Sequence, residues 1–185
     1  MTSTKIAFVL LLFVAAATMA APAQTQVFVP GNTNGAFGNQ VDLIVPLVPA
    51  ITVDGPGTIT VTYVSGTVDF GAGVEVGPNG GPWDVGTWQL PLQEAKGVAG
   101  GKVNNDGALI GVFVPHARLI HKGFSPIDGT KDAARVGIMP GWLFFIGEGK
   151  TIDAKEAGTL FLGINDCWVG DNSGGFNVEV SVQQH

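Results

Sequence analysis

Oxygen-bearing side chains cluster in one short stretch near the C-terminus, between two apolar segments. Asn165 and Asp166 follow the first segment, and Asp171 and Asn172 precede a Ser-Gly-Gly run that opens the second. Carboxylate and amide oxygens on a tight loop suit a hard cation, and calcium takes about six to eight oxygens, some of which a curved backbone supplies. The stretch therefore predicts a calcium site, and the open alternative is a plain turn, which uses the same residue types.

The two apolar segments that flank this loop have the alternation expected of strands. The large apolar residues on one face are Leu160, Leu162 and Ile164 before the loop, and Phe176, Val178, Val180 and Val182 after it. A period of two over this length is typical of half-buried strands, because successive side chains point to opposite faces of a sheet. We therefore expect a β-hairpin with the oxygen ligands at its tip.

The composition of the whole chain is that of an all-β protein. Its 185 residues include 28 glycines, and only 13 % of them are charged. A hydrophobic content of 45 % argues against the competing class, a Gly-rich disordered chain. We expect one domain of about seven to nine strands in two packed sheets, a β-sandwich of jelly-roll type.

The candidate strands are separated by Gly- and Pro-rich turns. They are residues 26–30, 41–53, 58–64, 67–70, 108–114 and 142–146, in addition to the two beside the ligand loop. Pro46 and Pro49 interrupt the second of these, so it is expected to be an edge strand or two short pieces. Residues 148–158 are expected to be a polar excursion between strands.

The N-terminus has the features of a secretory signal peptide. Lys5 supplies a positive start, residues 6–17 are an unbroken run of apolar or small residues, and Ala21-Pro22-Ala23 provides a small-x-small cleavage site. The apolar run is too short to span a bilayer by itself. We expect a signal peptide at 1–23 and a single exported domain at 24–185, secreted or periplasmic, with no membrane anchor.

Charge and motif content argue against several functions. The net charge is −6 and the nine basic residues are scattered singly, so no nucleic-acid partner is expected. The single cysteine, Cys167, is either a small half-buried residue or part of a disulfide between chains. The sequence contains no nucleophile elbow, phosphate loop or zinc-ligand spacing, and its acidic residues lie beside turn formers, so we expect no enzyme.

From about residue 51 to residue 182, the chain resembles the bacterial PA-IL-type lectins, a family of small calcium-dependent galactose-binding β-sandwiches. The matching motifs are GTITVTYVSGTVDFGAGVEVGPNG at 57–80, GALIG at 107–111, LFFIG at 143–147 and GTLFLGINDCWVGDNSGGFNVEV from Gly158. They occur in the family's order, and the last is the most specific. The resemblance implies a galactose-binding-domain-like jelly roll in which a sugar diol coordinates a loop-bound calcium ion.

The resemblance also assigns roles to individual residues. It implies that calcium is held by the side chains of Asp166, Asp171 and Asn172 and by the backbone carbonyls of Phe70 and of Trp168 or Val169. Asp171 stands where the family has an amide, so two carboxylates would neutralise the ion.

The expected sugar contacts come from two places. The family's His-Pro-x-Gln is here Leu90-Pro91-Leu92-Gln93, so the resemblance implies that Leu90, Pro91 and Gln93 contact the sugar. Trp168 lies in the ligand loop, where its ring could stack on a pyranose. The expected partner is therefore a galactose-like or other glycan, and a homo-oligomer stays open.

Two alternative functions of other classes stay open beside the lectin prediction. In the first, the protein is a structural or adhesive module whose calcium ion only makes the loop rigid. In the second, it is a glycoside hydrolase that uses a pair of acidic residues.

Overall fold

A computed structural model of the protein describes residues 23–33, 47–69, 73–81, 106–116, 144–166 and 169–185. Within these ranges nine strands form two antiparallel sheets that pack against each other. The expected all-β sandwich is therefore confirmed. No helix in the described part of the chain is long and apolar enough to cross a membrane.

The first sheet contains five strands. They are β1 (Ala23–Pro30), β3 (Gly57–Asp69), β4 (Glu75–Val76), β7 (Gly149–Ala154) and β9 (Ser173–Gln184). β9 lies between β1 and β3, and the far side of β3 pairs with β7 along its first half and with β4 at its end. β1 is thus an edge strand whose partner is β9.

The second sheet contains four strands in the order β2, β8, β5, β6. They are β2 (Val48–Val53), β5 (Leu109–Pro115), β6 (Phe144–Phe145) and β8 (Gly158–Ile164). β2 lies at an edge of this sheet, as its prolines predict.

The core lies between the sheets and is built from the alternating apolar positions of both. β3 and β9 contribute one wall, and β8 contributes the middle of the other. The fully buried members from these strands are Ile59, Val61, Val68, Phe176, Val178, Val180, Leu160, Leu162 and Ile164. The alternation in the sequence therefore identifies the core face of each strand correctly, because side chains of every second residue point the same way.

The predicted hairpin at the ligand loop is wrong. β8 and β9 do not pair with each other: β8 lies between β2 and β5, and β9 lies between β1 and β3. The chain crosses from one sheet to the other at residues 165–172, which we call the corner. This arrangement lets the apolar faces of β8 and β9 oppose each other across the core, whereas a hairpin would place them side by side on one sheet.

β3 is longer than the sequence predicts. The two candidate segments 58–64 and 67–70 form one strand with a bulge between Tyr63 and Ser65. Gly66 supplies the left-handed backbone at the bulge, with φ of 106°, and the Tyr63 hydroxyl donates to its carbonyl at 2.7 Å. A bulge keeps pairing with β9 while bending the strand, so the apparent break in the pattern is not a turn.

β7 was not expected. It lies in residues 148–158, which were predicted to be a polar excursion. An edge strand with one covered face needs few apolar residues, and in β7 only Ile152 and Ala154 supply them. Of the other candidates, 142–146 contains only the two-residue β6, and its first two residues lie outside the described ranges, as do residues 1–22 of the predicted signal peptide.

Candidate functional site

The buried side of the corner continues directly from β8. Asn165 donates its backbone N–H to the Ala108 carbonyl at 2.8 Å and accepts from Gly107 at 3.1 Å, so the pairing with β5 extends past the strand end. Asp166 follows, with its side chain only 6 % exposed and its N–H bonded to the Ile164 carbonyl at 2.9 Å. The first predicted carboxylate ligand is therefore held at the base of the corner.

The exposed side of the corner is a single turn of 3₁₀ helix at Val169–Asp171. Val169 is buried, and its carbonyl accepts the backbone N–H of Asn172 at 3.3 Å. Asp171 ends the turn and is exposed to solvent. The second predicted carboxylate is therefore accessible from outside, unlike Asp166.

Asn172 has the most informative environment at the corner. Its Nδ2 donates to the Gly31 carbonyl at 2.9 Å, while its Oδ1 is buried and has no hydrogen-bond partner in the part of the chain that the structure describes. A buried acceptor without a partner costs about 1–3 kcal/mol. A cation beside Oδ1 would remove this cost, so the residues present fit an oxygen-ligated ion.

The turn that follows β1 packs against the corner and hydrogen-bonds to both strands that flank it. The Gly31 N–H donates to the Gly174 carbonyl at 2.9 Å, and the Thr33 carbonyl accepts from Ile164 at 2.6 Å. We call residues 31–33 the bridging turn, because it contacts the end of β8 and the start of β9 at once. The predicted calcium ligands lie next to these strand ends: Asp166 shortly follows β8, and Asn172 directly precedes β9.

The end of β3 reaches the same edge of the sandwich. Asp69 pairs with Ser173, so the residue before Phe70 and the residue after Asn172 lie opposite each other. Asp69 itself accepts a hydrogen bond from the Gly73 N–H at 3.1 Å. Phe70, which is predicted to contribute a carbonyl, is the next residue in the chain and lies outside the described residues, so its contribution stays a prediction.

Several predicted site residues share that position outside the described ranges. They are Phe70, Leu90, Pro91, Gln93, Trp168 and also Cys167. Their assignments stay predictions. The structure places Asp166, Val169, Asp171 and Asn172 within one corner, with Asp166 on its buried side and Asp171 on its exposed side.

No group of three or more His, Cys, Asp or Glu side chains converges as a metal site among the described residues. The predicted calcium set contains two carboxylates, an amide and backbone carbonyls, so it is not a group of that kind. His116 instead has its Nε2 3.3 Å from the Thr159 hydroxyl.

Two further residues at this end of the sandwich have surroundings that no sequence pattern predicts. Asp106 looks like an ordinary turn residue, yet its side chain is 2 % exposed and its carbonyl accepts from Gly81 at 2.9 Å. Gly31 contributes only backbone groups, so no side chain marks it. A run of Gly and Asn after the first strand is the only signal that the sequence contains for such a turn.

No known protein-family model matches this sequence, and no curated protein matches it either. The lectin resemblance is therefore carried by the motifs of the sequence and stays a prediction.

Proposed function

We propose that the protein is a calcium-dependent carbohydrate-binding protein of the exported, lectin-like kind. Asp166, Asp171 and Asn172 would hold one calcium ion at the corner, and the vicinal hydroxyls of a sugar would complete its coordination. The observation that carries this proposal is the buried Asn172 Oδ1, an acceptor without a hydrogen-bond partner among the described residues, one position from an exposed carboxylate.

The surroundings of the corner support a site that has one buried ligand side and one side exposed to solvent. Asp166 directly follows Asn165, which is paired with the residues before β5, and is nearly fully buried, whereas Asp171 faces solvent. When bound, calcium would supply positive charge and coordination positions that a neutral diol can fill. The Val169 carbonyl accepts one hydrogen bond, and a carbonyl oxygen has two lone pairs, so one hydrogen bond does not prevent it from also being a ligand.

The proposal also assigns roles to residues outside the described ranges, a topology to the sandwich and a route of export to the protein. Phe70 would add a backbone carbonyl to the calcium ion, and Leu90, Pro91, Gln93 and Trp168 would contact the sugar. The topology would be a galactose-binding-domain-like jelly roll, the signal peptide at 1–23 would direct export, and binding would involve no covalent chemistry. The glycan is galactose-like or another neutral sugar.

A second function is favoured by one specific observation. The bridging turn ties β8 and β9 together at the corner through bonds to Ile164 and Gly174. An ion at that junction would lock the two sheets at one end of the sandwich. The same calcium site would then serve a structural or adhesive module, with no sugar bound.

Calcium titration by calorimetry tests the site. We expect the protein to bind one calcium ion, and the Asp171→Ala variant to lose most of the affinity, because the ion loses one of two neutralising charges. Asp54→Ala is the matched control: Asp54 is also an exposed aspartate in a turn, but it precedes β3 and so lies at the opposite end of that strand from Asp69. Absence of calcium binding in the unaltered protein would overturn the proposal.

A glycan array read with calcium and with a chelator separates the two functions. Glycan binding that requires calcium supports the lectin. Calcium binding by calorimetry with no glycan retained supports the structural module.

A further inference from the structure

We propose that the bridging turn is the positioning element of the calcium site, and that calcium binding is thereby coupled to the docking of the N-terminal strand β1. This inference rests on the calcium site of the proposed function. It assigns a role to Gly31, a residue with no side chain, through the hydrogen bond that its carbonyl accepts from Asn172 at 2.9 Å.

The hydrogen bond decides which end of the Asn172 amide faces the ion. An asparagine amide has a donor end and an acceptor end, and rotation by half a turn about the last side-chain bond exchanges them. Because Gly31 accepts from Nδ2, Oδ1 is turned away from Gly31, and no described residue donates a hydrogen bond to it. In the opposite orientation the two N–H groups would point at the cation and repel it.

The position of Gly31 is set by close contact with β9. A β-carbon at residue 31 would lie 2.5 Å from the Ser173 carbonyl oxygen, which is closer than van der Waals contact allows. The Gly31 N–H also donates to the Gly174 carbonyl at 2.9 Å. The Gly31 N–H therefore bonds to a residue at the start of β9, and the Gly31 carbonyl bonds to Asn172, the residue directly before that strand.

The other end of the bridging turn acts on β8. The Thr33 carbonyl accepts from the Ile164 N–H at 2.6 Å, and the Thr33 N–H closes the turn onto the Pro30 carbonyl at 3.1 Å. Ile164 is the last residue of β8, two positions before Asp166. The turn therefore spans the gap between the strand that leads to Asp166 and the strand that follows Asn172.

This geometry predicts coupling to β1. The bridging turn follows β1 directly, and β1 is an edge strand held by β9. Binding linkage is reciprocal, so if the docked turn strengthens calcium binding, calcium strengthens the docking of the turn and of β1 by the same factor. Edge strands open locally more easily than central ones, which makes this change measurable.

The variant Asn172→Asp isolates the positioning bond. It keeps an oxygen ligand and adds a negative charge, but it removes the donor to the Gly31 carbonyl. If residue 172 supplied only an oxygen, the extra charge would tighten calcium binding. We expect binding weaker by about 10- to 100-fold, the usual loss when a group that orients a metal ligand is removed.

Asn177→Asp is the matched control for this variant. It makes the same chemical change on β9, where the Asn177 amide donates to the Ser65 hydroxyl at 3.2 Å instead. We expect its calcium affinity to equal that of the unaltered protein. Equal or tighter binding by Asn172→Asp would overturn the inference.

Hydrogen exchange measured on the same proteins reports the coupling directly, without any glycan. Calcium should slow exchange of the amides in β1 by about tenfold in the unaltered protein and leave it unchanged in Asn172→Asp. β7 is the internal control, because it is the edge strand on the other side of the same sheet.

The outcomes distinguish this inference from the proposed function. A protein that binds no calcium overturns both. A protein that binds calcium through Asp171, but protects β1 and β7 equally or not at all, overturns the positioning role and leaves the calcium site in place.

Discussion

The two strands that flank the corner have similar patterns and different surroundings. β9 has one buried apolar face and one polar face, which carries Asn177, Glu179 and Ser181. β8 is buried on both faces, although the sequence pattern predicts a half-buried strand. The comparison teaches that a period of two identifies a strand and its core face, whereas the cover on the other face comes from segments elsewhere in the chain. At Gly163 of β8, for example, the nearest atoms to a β-carbon would belong to Leu47 and Thr33.

The outer faces of the two sheets differ for the same reason. Beside β8, the outward positions of β5 are apolar and buried: Ile110, Val112 and Val114 all have no exposed surface. Beside β9, the outward row contains Gln24, Thr60 and Thr151, aligned through Ser181. The outer face of the first sheet therefore carries hydroxyl and amide groups. The outer face of the second sheet carries a buried apolar layer in addition to the core between the sheets.

The largest expected effect comes from removing a side chain of that apolar layer. Phe161 points outward from β8 and is 1 % exposed. Phe161→Ala should lower the free energy of unfolding by about 3–5 kcal/mol, because it leaves a cavity in a packed environment. Urea denaturation measures this change. A loss below about 1 kcal/mol would mean that the outer face of the second sheet is not packed like a core.

Calcium should produce the next largest effect, because the proposed site lies at the junction of the two sheets. An ion that binds only the folded chain stabilises it by about 2.7 kcal/mol at one hundred times its dissociation constant. Thermal unfolding with calcium and with chelator measures this gain. The gain should disappear in Asp171→Ala, whose stability in chelator should equal that of the unaltered protein, since Asp171 is exposed.

A smaller effect is expected from a hydroxyl on the covered face. The Thr159 side chain is buried, and its hydroxyl lies 3.0 Å from that of Thr52. Thr159→Val should cost about 0.5–1.5 kcal/mol, because the shape is kept and the partly buried hydrogen bonds of the Thr159 hydroxyl to Thr52 and His116 are lost. Thr60→Val, on the open face of β3, makes the same change and should shift the free energy of unfolding by less than about 0.5 kcal/mol.

The smallest effect is expected at the aromatic residue of the open face. Phe28 on β1 is 53 % exposed, so Phe28→Ala removes only about half as much buried surface as Phe161→Ala. The free energy of unfolding should fall by no more than about 1 kcal/mol in urea denaturation. Together with Phe161→Ala, this variant measures the same substitution on the two outer faces, and similar losses would contradict the contrast between them.

The candidate site was partly predictable from the sequence. The types and spacing of Asp166, Asp171 and Asn172 indicate oxygen ligands on a turn, and the structure places all three on the same corner. The role of Gly31 could not be predicted, because a backbone carbonyl acts there and 141 positions separate it from Asn172. The hairpin prediction was wrong for a related reason: adjacency in sequence does not decide which strands pair.

The sequence by itself determined that the chain forms alternating strands, which side of β3, β8 and β9 faces the core, and where oxygen-bearing side chains follow one another in a turn. These are local properties, because strand period and turn chemistry depend on a few consecutive residues. Only the tertiary structure decided that β8 and β9 belong to different sheets, that β8 is covered on both faces, and that the bridging turn orients Asn172. Those outcomes depend on contacts between residues far apart in the chain, which no local pattern specifies.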